Sequence, residues 1–320
     1  MRRLTLILSD LYLPEEAASD IADHTSAAMP DLEALLRFAR IVRIDDWRTW
    51  LARDLGVPEP GRIAPAVAER LGVEPRGAWL ATPVRLEARL DHVRMLGLER
   101  IAPDEAIAGC AEFARHFGPA LALHVLNERA LLLTGVDAVA ETVDPARLIG
   151  ADVANSLPRG ATALRRLGAE IEMWLHASAL NEARERNRAP RVSTLWLWGG
   201  GDARSSAVLA NVELRGGDPF LATLTPRAVA APPGFDALAV EAEHGVVELA
   251  PMSGSAHERL MSLDAGWFAP LRAALASRAL DDVRIVANDR CFVIRRQSRW
   301  KFWRRRRPWL ELLGATAAKA

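Results

Sequence analysis

An α/β fold, with a mostly parallel central sheet flanked by helices and a smaller inserted lobe, is predicted by three features of the sequence. Leu4–Leu8 is an unbroken apolar run of the kind buried on both faces of a parallel sheet. Helical apolar periodicity alternates with short β-like runs, the pattern of strands joined by helical crossovers. The 320 residues, 50% of them hydrophobic, are enough for one large elaborated domain.

Each element follows from local signals. Met1-Arg2-Arg3 before LTLIL has the look of a signal peptide. Ser9 and Asp10 cut the apolar run, however, and no small-residue cleavage site follows, so the segment reads as the first strand. Pro30 opens a helix with Leu32, Leu35, Leu36 and Ala39 at helical spacing. Asp45 or Asp46 caps a second helix that buries Trp47, Trp50 and Leu51 and stops at Gly56. Residues 56–63 connect to a short helix over 64–71, and 78–86 reads as a strand interrupted by Pro83. Pro103-Asp104 starts a helix to about Phe117, closed by Gly118, and Asn127-Glu128-Arg129 turns a hairpin. One long helix is expected over 161–188, with Leu164, Leu167, Ile171, Leu175 and Ala179 on one stripe. Pro190 ends it, and the run LWLW follows as a buried strand, so that helix and strand form half of a right-handed crossover. Residues 207–247 are broken by Gly216-Gly217, Pro226 and Pro232-Pro233 and yield no ordered set of elements. Asp264 is expected to cap a helix through about Ala279, and Val283–Ala287 to form a last strand ending at Asn288-Asp289. Residues 1–298 thus read as one domain with a lobe at roughly 73–150, and 299–320 as a basic aromatic tail.

Composition excludes several classes. Lys plus Arg equals Asp plus Glu at 41 each, so no global field draws nucleic acid or membrane, and local clusters must supply any such attraction. Cys110 and Cys291 are the only two cysteines, which excludes a thiolate zinc site and fits buried thiols in a reducing, cytoplasmic setting. No apolar run approaches the roughly 20 residues that span a bilayer.

Few motifs carry chemistry. In STLWLWGGGD, Gly199, Gly200 and Gly201 either cradle an anion with backbone N–H groups or let a bulky strand leave the sheet; P-loop and GxGxxG spacings are absent. Asp10, two residues past the first strand, either holds a metal or phosphate or caps a turn. Histidines 24, 92, 116, 124, 176, 244 and 257 form no HxH or HxxxH cluster, and His244 and His257 are the best placed as ligands. Ser253-Gly254-Ser255 with His257 lacks the strand-to-helix elbow of a nucleophile. The tail from Arg295 to Trp309 interleaves arginines with Trp300, Phe302, Trp303 and Trp309. It suits an anionic membrane or nucleic acid, or else rings packed on the domain with arginines paired to its own acids.

LTLILSD followed by MPDLEALL resembles the opening of the alkaline-phosphatase superfamily. The span His176–Gly201, with Asn181, Arg184, Pro190 and LWLWGGG, is similar to the RpfE-type regulatory proteins, a cofactor-independent phosphoglycerate mutase-like group, as is KFWRRRRPW at 301–309. The resemblance implies the phosphatase/mutase fold and, in active members, two divalent ions, a Ser or Thr nucleophile and Asp-His pairs at strand ends. This chain departs from that pattern: Asn288-Asp289 stands for Asp-His, Ser178 for a histidine and Ser193 for an asparagine. The implied reading is a degenerate, non-catalytic regulatory protein with no cofactor. Its phosphorylated or anionic ligand would meet His176, Asn181, Arg184, Gly199, Gly200, Gly201 and Asp202. Two alternatives stand beside it: a Mn- or Mg-dependent phosphomutase or phosphatase using Asp10 and Asp289, and a module binding membrane or nucleic acid through the tail.

Overall fold

The computed structural model describes residues 2–8, 29–44, 46–57, 63–153, 162–201, 209, 212–225, 229–238, 243–249, 261–287, 289–300, 305, 308, 309 and 312. In chain order the elements are β1 (Arg3–Leu8), α1 (Pro30–Leu36), β2 (Arg40–Arg43), α2 (Trp47–Leu55), α3 (Ile63–Leu71), β3 (Trp79–Ala88), β4 (Val93–Leu98), α4 (Pro103–Phe117), β5 (Ala122–Asn127) and β6 (Ala130–Thr134). They continue with α5 (Thr162–His176), α6 (Ala179–Arg186), β7 (Thr194–Trp198), β8 (Val212–Arg215), α7 (Pro219–Leu224), β9 (His244–Leu249), α8 (Ala269–Ala276), β10 (Asp282–Ala287) and β11 (Arg290–Arg295). Contacts divide the chain into two compact units, Met1–Val57 with Ala207–Ala320, and Pro58–Ser206. The second unit is wider than the lobe read from the sequence, because β7 and its preceding helices belong to it.

The first unit is built on a six-stranded sheet of order β2-β11-β10-β1-β9-β8. Strands β10, β1, β9 and β8 run parallel, while β11 and β2 extend one edge through antiparallel pairs, so the sheet is mixed. Alternation along the strands makes its two faces different. One face presents Leu4, Leu6, Leu8, Val247, Leu249, Val283, Ile285 and Phe292 to α1 and α8, which answer with Leu32, Leu35, Leu271 and Leu275. The other carries Arg3, Thr5, His244, Glu248, Asp282 and Arg284; Arg3 stands in register with both Asp282 and His244, and Thr5 with Arg284.

Caps fix the helices on this frame. Asp46 accepts a 2.8 Å bond from the Thr49 N–H, and Gly56 ends α2 at φ 69°. Asp264 does not cap its own helix as expected. The helix already runs through Leu263, and the Asp264 carboxylate instead accepts the N–H groups of Leu32 (2.9 Å) and Asp31 (3.2 Å) at the start of α1. Burial raises the pKa of that carboxyl despite both bonds. Trp309 and Leu312 lie in the same core, Trp309 only 1% exposed with its N–H 3.4 Å from Glu33 Oε1. Trp309 and Leu312 of the tail are therefore packed on the unit, while residues 301–304, 306, 307, 310, 311 and 313–320 lie outside the described set.

The second unit holds an antiparallel sheet of order β4-β3-β6-β5, with β7 on the opposite edge of β3. The LWLW strand is thus not half of a parallel crossover. A strand buried on both faces reads the same in either sheet type, and here α4 and α5 cover Leu195 and Leu197. Pro83 sits where β3 passes from β6 to β4, a gap in which a missing N–H costs no ladder bond; its carbonyl still accepts the Glu99 N–H at 2.8 Å. The expected helix over 161–188 is two helices. Ser178 accepts the Asn181 N–H at 3.2 Å and restarts the coil as α6, a break hidden by the continuous apolar stripe.

Candidate functional site

The block 176–201 is held by bonds within its own unit. His176 is exposed at the end of α5, and its carbonyl accepts Arg191 Nη2 at 2.7 Å. Asn181, 1% exposed, donates Nδ2 to the carbonyls of Leu175 and Val192, both at 2.8 Å, and accepts the Val192 N–H at 2.9 Å. Arg184, 4% exposed, donates to the carbonyls of Pro190 (2.6 Å) and Arg100 (2.8 Å) and to Glu105 (3.0 Å), with Glu99 at 3.6 Å. Burial raises the Glu99 pKa, opposed by Arg85 and Arg184. The Gly199 N–H points to the Thr142 hydroxyl at 3.2 Å, and Gly199 adopts φ 65° as the strand turns away. A β-carbon at Gly200 would lie 2.2 Å from the Trp79 ring, so that glycine serves close packing. Asn181, Arg184 and Gly199 thus aim their polar groups inward and do not assemble the expected anion pocket. Asp202 lies outside the described residues.

Asp289 occupies the turn between β10 and β11, 3.4 Å from Arg43 and 3.2 Å from Arg290. Both of its carboxylate oxygens are thus engaged by guanidinium groups. Among the described residues no three His, Cys, Asp or Glu gather as a metal site. Asp10, Asn288, His24, His257 and Ser253–Ser255 lie outside them.

The polar face of the first sheet carries charge that sequence reading missed. Asp282, fully buried, lies 3.4 Å from Arg3 and 3.7 Å from Arg284, and both arginines also meet Asp54 of α2. His244 Nε2 is 3.1 Å from the Thr5 hydroxyl, and burial, then Arg3, lowers its pKa. Burial pushes the Cys291 thiol on the same face up to about 12. Nearer the strands' carboxyl ends, Arg48 clasps Asp218 at 2.6 and 3.2 Å, and Glu248 accepts the N–H groups of Gly217 (2.8 Å) and Asp218 (3.2 Å). That backbone nest is filled by the chain's own carboxylate. Every charge named here has an opposite or a donor within the unit.

Four arginines gather at one place in the first unit. A pocket of about 370 Å³ between α1, α8 and β11 is lined by Arg37, Arg272, Arg295 and Arg296 around Leu35, Phe38, Leu275 and Ile294. Arg272 reaches Asp31 at 2.8 Å, and Arg37 lies 5.3 Å from the centre of the Phe38 ring. Arg295 and Arg296 have no side-chain ion pair among the described residues. Their dipeptide was visible in the sequence as the head of the tail; Arg37 and Arg272 join it only through folding.

No family model matches the chain, and no curated protein matches it. Among solved structures it is similar to a cofactor-independent phosphoglycerate mutase from Thermoplasma acidophilum, at 17% identity and a TM-score of 0.40 over 92% of this chain and 89% of that one. It is also similar to the PH0037 protein from Pyrococcus horikoshii, at 12% identity and a TM-score of 0.43 over 92% and 87%. At these scores the likeness assigns no activity to this chain.

Proposed function

We propose that this chain is a regulatory protein of phosphoglycerate mutase-like type that binds a small phosphorylated or anionic molecule without turning it over. The observation that carries the reading is the pocket of about 370 Å³ with four arginines in its wall. Its size suits a small metabolite, and guanidinium groups pair with phosphate or carboxylate through two parallel bonds. Among the described residues the wall offers groups that bind an anion and no carboxylate, imidazole, hydroxyl or thiol to act as base or nucleophile. The site is not built from the 176–201 block favoured by sequence, whose Arg184 is already committed to four partners.

Titration calorimetry with inorganic phosphate and with 3-phosphoglycerate tests the reading. The Arg295→Ala/Arg296→Ala double variant should bind at least about tenfold more weakly, and wild-type affinity should fall as salt rises. Unchanged affinity in the double variant would remove the pocket from consideration. Turnover of 3-phosphoglycerate in the presence of Mn or Mg would replace the regulatory reading with the enzymatic one.

A further inference from the structure

The second unit contains a groove of about 320 Å³ that shares no lining residue with the anion pocket. Four consecutive residues of β7, Thr194 to Leu197, line it. Since neighbouring side chains of a strand point to opposite faces, a cavity touching all four reaches past the strand's edge, and Leu86 of β3 and Val93 of β4 extend it over part of the sheet. Strand β7 pairs with β3 alone among the described residues, so the edge beside the groove carries no strand partner.

The opposite wall is α5, where Gly168 stands at the groove in the interior of a 15-residue helix. Glycine weakens a helix relative to alanine, and a β-carbon here would meet nothing within 4 Å. Packing does not demand the glycine; its effect is to widen the groove. Arg165 and Glu172 mark the two ends of this wall. Both are exposed, and neither has an ion pair or side-chain hydrogen bond among the described residues. Seven helical steps separate them, about 10.5 Å at 1.5 Å per residue.

We propose that the groove binds an extended apolar peptide segment by strand addition to β7, an acidic side chain of the segment meeting Arg165 and a basic one meeting Glu172. An edge lacking a partner supplies main-chain hydrogen bonds, and the apolar wall takes alternate side chains. Four strand steps of about 3.3 Å place the charged ends about 13 Å apart, within reach of the two flexible groups on α5. A partner with one charge of each sign also suits a groove whose rim is itself balanced.

The test uses the full chain and a fluorescein-labelled, amidated Glu-Val-Ile-Val-Lys peptide followed by anisotropy. Gly168→Leu fills the groove; it should weaken binding at least about tenfold while the urea midpoint stays at or above wild type, with Gly168→Ala as the milder control. Exchanging the charges in an Arg165→Glu/Glu172→Arg variant should make Lys-Val-Ile-Val-Glu the preferred peptide. A peptide N-methylated at alternate amides should lose binding, since strand pairing requires those N–H groups. Three results would overturn the proposal. Equal binding of the methylated peptide would mean an apolar cleft without strand pairing. A lowered midpoint for both Gly168 variants would mean that the chain's own residues fill the space. No binding of any peptide would mean that the edge accepts no strand.

Discussion

Arg184→Ala separates a structural guanidinium from a ligand-binding one. In the fold this side chain is 4% exposed and makes hydrogen bonds of 2.6, 2.8 and 3.0 Å, with a further carboxylate oxygen at 3.6 Å. It joins the β4–α4 connection to α6 and to the segment leading into β7. Truncation strands the Pro190 and Arg100 carbonyls, removes the cation 3.0 Å from Glu105, and leaves Glu99 in a buried site with Arg85, at 3.2 Å, as its remaining partner. Removing one member of such a buried pair costs about 3–5 kcal/mol. For a unit of this size each kcal/mol moves the midpoint by roughly 2–4 °C, so a fall of roughly 6–20 °C is expected. Urea and thermal unfolding followed by tryptophan fluorescence give both quantities. The penalty should shrink at acid pH. Burial holds the Glu99 pKa above its ordinary value, so ionisation of this group disfavours folding as pH rises through the folded pKa; that cost grows when Arg184 is lost and vanishes once Glu99 is protonated in both proteins. Arg184→Lys should recover only part of the loss, because one ammonium cannot span four acceptors. A variant that unfolds at the wild-type midpoint yet fails to bind phosphoglycerate would refute this reasoning and restore Arg184 to a ligand site.

Two further outcomes follow from burial. Trp309→Ala should cost about 3–5 kcal/mol in urea unfolding, as expected for emptying a ring site that is 1% exposed in the core of the first unit; an unchanged midpoint would detach the tail from the fold. His244 has a lowered pKa, so its contribution is full above the unfolded value of about 6.5 and is lost as pH falls through the folded one. His244→Gln should therefore flatten the acid limb of stability, read as urea midpoints from pH 8 to pH 5, and a limb of unchanged slope would assign acid sensitivity to other groups.

Elements announced by local chemistry were legible in the sequence. Asp46 and Gly56 bracket α2, Pro103 and Gly118 bracket α4, and the turn after Asn127 joins β5 to β6. What sequence reading missed depends on partners distant along the chain. Strand β7 looks the same whether it joins a parallel or an antiparallel sheet, and Thr194 finds Val84 across 110 residues. Asn181 and Arg184 have the residue types of a ligand site, and only folding brings Val192, Arg100 and Glu105 up to them. The polar sheet face was written in period two, as Arg3-Thr5, His244-Val246-Glu248 and Asp282-Arg284, but reading Leu4–Leu8 as one apolar run concealed it. The arginine pocket has no sequence signature, because its four cations come from the residue after α1, from α8, and from the last residue of β11 and the one after it.

That pocket stands out against the rest of its unit. The chain is neutral overall, with 41 cationic and 41 acidic side chains, so a fold that paired them all would leave no local surplus. Arg3, Arg48 and Arg284 follow this rule in the interior, each against a carboxylate of Asp54, Asp218 or Asp282. The backbone nest at Gly217 is likewise filled by Glu248. Arg295 and Arg296 break the rule beside an apolar wall, where neighbouring cations raise one another's energy unless an anion arrives. A carboxylate introduced there should act as that anion. Leu275→Glu, facing the four guanidinium groups, is accordingly expected to abolish phosphate binding while costing less stability than Leu275→Gln. The ordering follows only if the surplus charge is real, and the reverse ordering in urea unfolding would show that the arginines are already neutralised.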